Sequence, residues 1–154
     1  LSFTINAISG PSLRIYPLSQ FAQPGEKIDV YLYFEEVEDE SAVTGLHVDI
    51  QINTDELEFD TSEYEQGELV TDFTGTTIWP SSPRYDNGST TMSIDGVADG
   101  NGLYGTGSIA KFSLEILGTA GTFNINILGE GSFLDADGNT IEFRSPVDGS
   151  VTVE

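Results

Sequence analysis

One histidine, 26 carboxylates and no cysteine set the limits of any chemistry in this chain of 154 residues. A cysteine nucleophile is excluded, and a Ser-His-Asp triad would have to use His47, whose neighbours Leu46 and Val48 form no nucleophile turn. A histidine-based zinc site lacks ligands. So many acids could supply a glycosidase pair, yet none falls at an inward strand position, where burial would raise a carboxyl pKa for general-acid work. The chain therefore reads as non-catalytic.

Two further groups of residues carry possible binding chemistry. Asp135, Asp137 and Asn139 stand at the first, third and fifth positions of a stretch spaced like a calcium loop. A full loop of that type needs glycine at the sixth position and a bidentate acid at the twelfth, where Thr140 and Pro146 stand instead. An Asx-type turn is the better reading, with calcium secondary and no other cofactor expected. Residues 95–101 form a second acidic, glycine-rich loop. Trp79, with Pro80 and Tyr85, makes one aromatic-rich loop, and Tyr31 and Tyr33 an outward aromatic pair. Planar rings of this kind stack sugars, so these are the residues a carbohydrate-binding module would use on a polysaccharide. A tryptophan in such a chain also serves as a core or edge cover.

The elements that must position these groups are strands. Residues 43–53 alternate strictly, with Leu46, Val48, Ile50 and Ile52 on one face and Gly45, His47, Asp49, Gln51 and Asn53 on the other. Residues 27–34, 108–117 and 122–128 alternate in the same way, the last turning Asn124 and Asn126 outward. Shorter strands are expected over 13–18, 90–95, 139–143 and 150–153, with Ser93 and Asp95 outward. Pro24-Gly25, Asp86-Asn87-Gly88, Asp137-Gly138 and Asp148-Gly149 supply the turns. The acidic stretch 35–40 could form a helical turn, although like charges one turn apart oppose it. About nine one-sided strands with frequent turns argue for an all-β fold of two packed antiparallel sheets. Residues 13–154 form one domain, and residues 1–12 an added strand or a linker. A start at Leu1 suggests a processed chain or an excised module.

Five basic residues against 26 acids give a formal charge of -21. Nucleic acid and anionic membrane are poor partners, because binding a polyanion adds repulsion where a basic protein would release counterions. No run of about 18 apolar residues occurs, so no membrane insertion is expected. The self-repulsion is tolerable where salt screens it, which points to an extracellular or cell-surface setting.

With the strands placed, the chain resembles the cohesin family. Residues 13–17 and 22–30 resemble its opening strands and intervening Pro-Gly turn. Residues 45–58 resemble the strand ending in YDPxxLE, with Ile52, Asn53 and Thr54 replacing Tyr, Asp and Pro. Residues 105–114 resemble GxGxLAxIxF, 133–139 the LVDSNGN turn and 148–153 the closing DGSVTV. The resemblance implies a nine-stranded jelly roll that holds a dockerin-like protein module on one flat sheet face. It places Gly45 and His47 where many family members carry a polar pair gripping a dockerin serine or threonine. The partner-binding set it implies is Gly45, His47, Asp49, Gln51, Ser93, Asp95, Asn124 and Asn126.

Overall fold

The computed structural model describes residues 10–79, 83–86, 88–100 and 102–154. The added strand or linker expected over 1–12 lies mostly outside the described residues, and Ser12 already opens the first strand. β1 (Ser12–Tyr16), β3 (Lys27–Val37), β5 (Leu57–Gln66) and β8 (Gly105–Ile116) form a four-stranded sheet in the order β1-β3-β8-β5. β2 (Ser19–Ala22), β4 (Gly45–Gln51), β6 (Thr77–Ile78), β7 (Thr91–Ala98), β9 (Gly121–Leu134) and β10 (Gly149–Val153) form a six-stranded sheet in the order β2-β10-β9-β4-β7-β6. Neighbours are antiparallel except β2 and β10, which run parallel. The helical content among the described residues is one turn, α1 (Glu68–Thr71), and a 3-10 turn over Asp39–Ser41.

Alternation explains the packing. Val30, Leu32 and Phe34 of β3 and Phe112 and Leu114 of β8 turn inward against Val48 and Ile50 of β4, Ile94 of β7 and Ile125 of β9. All are buried, and each such side chain contributes about 1.5–3 kcal/mol relative to exposure. Phe34 joins the sheets at one end, meeting the Phe133 ring of β9 at 5.8 Å and the Phe143 ring at 5.5 Å.

Several local expectations need correction. The strand expected over 13–18 ends at Tyr16 and β2 follows from Ser19, and the β2–β10 pair is parallel in a fold expected to be antiparallel. β5 was not expected, because Glu58, Asp60, Glu63 and Glu65 make it look like a loop; its inward Leu57, Phe59 and Tyr64 hold it on the core. Residues 139–143 form no strand, only an isolated bridge of Thr140 to Leu134, made by Ile141 N–H to Phe133 O and Asp135 N–H to Asn139 O. Residues 95–98, read as part of a loop, complete β7. Of the acidic stretch 35–40, residues 35–37 extend β3, and a 3-10 turn begins at Asp39.

Each of the five basic residues is paired with an acid: Arg14 with Glu35, Lys27 with Asp60, Arg84 with Asp95, Lys111 with Asp29 and Glu65, and Arg144 with Glu36. The cations are thus spread one by one among carboxylates, and they form no basic patch for a polyanion.

Candidate functional site

β4 lies between β9 and β7, so its outward side chains sit in rows with theirs. Gln51 is flanked by Thr91 and Asn126, Asp49 by Ser93 and Leu128, His47 by Asp95 and Ser132, and Gly45 by Val97 and Leu134. Asn124 continues the face on β9, opposite Ser150 of β10. All eight partner-binding residues expected from the sequence therefore share one outward sheet face. Between the rows of Asp49 and His47, β9 shifts register through Gly129 and Gly131. Their φ values of 62° and 72° lie in the left-handed region open to glycine. That bulge brings Ser132 and Leu134 back beside β4.

Charge is concentrated at the centre of the face. His47 Nδ1 lies 2.6 Å from Asp95 Oδ1, and Nε2 lies 3.2 Å from Asp49 Oδ2. Arg84 Nε donates to Asp95 Oδ2 at 2.8 Å, and Ser93 Oγ donates to Asp49. Ionised carboxylates only accept, so both ring nitrogens can donate at once only as the imidazolium. The hydrogen bond to Asp95 is the largest cause raising the His47 pKa above its ordinary value; partial burial opposes it and Asp49 adds to it. For Asp95, burial pushes the pKa up, but Arg84 and His47 together outweigh it and hold the carboxyl below its ordinary value. The arrangement is a pre-set array of charges and short polar groups, which loses little rotamer freedom on docking. The Ser93 hydroxyl is turned to Asp49 and not to the imidazole, so these three side chains form no nucleophilic relay.

The network sets a pH dependence with a defined sign. A folded-state histidine pKa above the unfolded value gives stability that is complete below about 6.5 and lost as pH rises through the folded value. The melting-temperature difference between wild type and His47→Gln is expected to be largest near pH 5.5 and to shrink toward pH 9, within about 4 °C throughout because partly exposed ion pairs are weak. Thermal melts across that range check it; a difference that grows with pH contradicts it.

Of the other candidate residues, Tyr85 borders this face beside Thr91 and Ser93. Trp79 is only 7% exposed, its ring lying against Gly96, where an added Cβ would meet Cε3 at 2.2 Å. Tyr85 packs its ring on Phe59 at 5.2 Å. The Trp79 ring is thus taken up by the core, whereas Tyr85 is half-buried against it. Tyr31 and Tyr33 lie on the outer side of the opposite sheet, where Tyr16 joins them at 5.5 Å from Tyr33. Asp135 Oδ1 accepts the N–H groups of Asp137 and Asn139, each at 2.9 Å, as in an Asx turn. No group of three or more His, Asp or Glu side chains converges as a metal site among the described residues.

The sequence reading missed the apolar part of the face. Ile78, Val97, Leu128 and Leu134 are exposed there. Continuing the alternation of β9 past Asn126 would have turned Leu128 outward, whereas Val97 is hidden in an acidic, glycine-rich stretch.

The family model for the cohesin domain matches residues 18–153. No curated protein matches the sequence. Among solved structures, a non-cellulosomal cohesin from the archaeon Archaeoglobus fulgidus superposes with a TM-score of 0.73 at 18% identity, covering 95% of this chain and 92% of that one. A type I cohesin–dockerin complex of Clostridium thermocellum, Coh-OlpC-Doc435, gives 0.75 at 19% identity, with 99% of both chains covered. A second such complex, Coh-OlpA-Doc918, gives 0.76 at 16%, covering 95% of this chain and 100% of the other. At these identities the structural likeness establishes the fold.

Proposed function

The chain belongs to the cohesin family, and from that premise we propose that it is a non-catalytic recognition module that docks a dockerin-like protein. The docking surface is the outward face of β4, β7 and β9, bearing His47, Asp49, Gln51, Ser93, Asp95, Asn124 and Asn126 around Gly45. The observation that carries this reading is the register, which aligns these residues in adjacent rows on one sheet. Side chains of this size suit a hydrogen-bonded protein interface. The module is assigned to a larger extracellular or cell-surface protein, a setting in which its charge of -21 is screened. Residues 13–154 are taken as the module, and its fold as the nine-stranded jelly roll, with the two-residue β6 counted as an edge extension.

Calorimetric titration with dockerin modules from the same genome tests the assignment. One-to-one binding by at least one of them is expected; an absence of heat across the whole set rejects a dockerin partner.

A further inference from the structure

The end of the docking face nearest β6 differs from the rest. The pairing puts Ile78 of β6 beside Val97 of β7, Val97 beside Gly45 of β4, and Gly45 beside Leu134 of β9. Ile78 is 73%, Val97 51% and Leu134 42% exposed, although all belong to regular strands. Three aliphatic side chains thus stand in one row, interrupted where Gly45 has none. A shallow depression lies there, lined by Gly45, Val97 and Leu134 and closed along one side by His47, Asp95 and Ser132.

The glycine at 45 answers no need of the fold. A Cβ added there meets nothing nearer than Leu134 at 3.8 Å, an ordinary contact, and the backbone φ lies outside the left-handed region. Gly96, one row inward on β7, is the opposite case, because the Trp79 ring occupies the space of any Cβ. Alanine or a β-branched residue at 45 would also favour the strand, since glycine in a strand interior weakens it. What the glycine provides is the open space at the surface.

We propose that the row Ile78–Val97–Gly45–Leu134 is a notch that receives one large aliphatic or aromatic side chain of the dockerin partner, and that Gly45 thereby sets which partners bind. The inference rests on the docking reading above. Its chemistry is apolar at a position where a polar residue would select a hydroxyl. A partner that fills the notch buries the three aliphatic side chains together, next to the charged row of His47 and Asp95. A second copy of this chain is the poorer occupant, because two molecules of charge -21 repel each other.

The test selects dockerins from a displayed library randomised at the exposed positions of its helices, using the wild-type domain as bait. Selected dockerins are expected to share Leu, Ile, Val, Met or Phe at one position. Their affinity is expected to fall roughly 10- to 100-fold for Gly45→Leu, which fills the notch, and by less than about threefold for Gly45→Ala, as the burial of one such side chain implies. Thermal melts of both variants confirm that the fold is retained. Binders that carry Ser or Thr at that position, or that ignore Gly45→Leu, overturn the notch while leaving docking intact. Failure to select any dockerin overturns the docking reading itself. A wild-type dimer seen by sedimentation and abolished by Gly45→Leu makes a second copy the occupant, and so also overturns the proposal.

Discussion

Exchanging Asp49 for arginine is expected to weaken dockerin binding by at least about 30-fold while leaving the domain folded. Asp49 sits in the middle row of the face, between Ser93 and Leu128, with His47 beside it. Arginine there removes the acceptor for Ser93 and His47 and sets a second cation against the imidazolium. Truncating or reversing one member of a charged network at an interface costs about 2–5 kcal/mol of binding. The effect on stability is small, because the outward side of β4 makes no core contact and exposed charge substitutions fall within about 1 kcal/mol. Asp49→Asn is the companion variant: it keeps the shape and an acceptor for Ser93, so it is expected to lose less than Asp49→Arg. Calorimetry of both against one dockerin, beside their melting curves, separates lost recognition from lost fold. Equal affinity for wild type and Asp49→Arg would remove this residue from the interface.

The largest effect on stability is expected from Phe34→Ala. Phe34 is fully buried on β3 and crosses between the sheets to Phe133 and Phe143, whose rings stack on each other at 3.8 Å. Removing a buried phenylalanine costs about 3–5 kcal/mol through lost transfer energy and the cavity left behind. That is a large share of the 5–15 kcal/mol typical of a folded domain. The melting temperature is expected to fall by about 6–20 °C. The consequence also reaches the site, because Phe133 lies between Ser132 and Leu134, which line the docking face. Phe34→Leu keeps more of the volume and is expected to recover over half of the loss. Urea unfolding of the three proteins measures it; a cost below about 1 kcal/mol for the alanine variant would mean that the aromatic cluster does not hold the two sheets together.

These two residues also show what could be read from the sequence. Phe34 is the last member of a clean alternation that begins at Ile28, and Asp49 lies in the middle of one, so parity alone put the first inside and the second outside. Parity works because a strand has two faces and a buried face tolerates few charges. It fails where that contrast is blurred. β5 carries acids at most outward positions and only three inward anchors, so its composition resembles a loop. Residues 139–143 have the alternation of a strand, through Ile141 and Phe143, but no neighbour completes a ladder. Trp79 shows a third limit: the sequence marks an aromatic ring, whereas its burial depends on Gly96, 17 positions along the chain, leaving room for it.

The site was legible as a list and not as an arrangement. Alternation gave each outward residue on its own strand. The contacts that give the face its character depend on register: His47 opposite Asp95, Asp49 opposite Ser93, and Gly45 between Val97 and Leu134. Register follows from turns and bulges that are distant in sequence, such as the one at Gly129 and Gly131, and no local pattern encodes it.

The most direct test of the central claim is a nuclear magnetic resonance titration of the isotopically labelled domain with a bound dockerin. The account predicts that the amide signals shifted most belong to β4, β7 and β9, including His47, Asp49, Ser93, Asn126 and Leu134. Shifts concentrated instead at Tyr16, Tyr31 and Tyr33 on the outer side of the four-stranded sheet would contradict it.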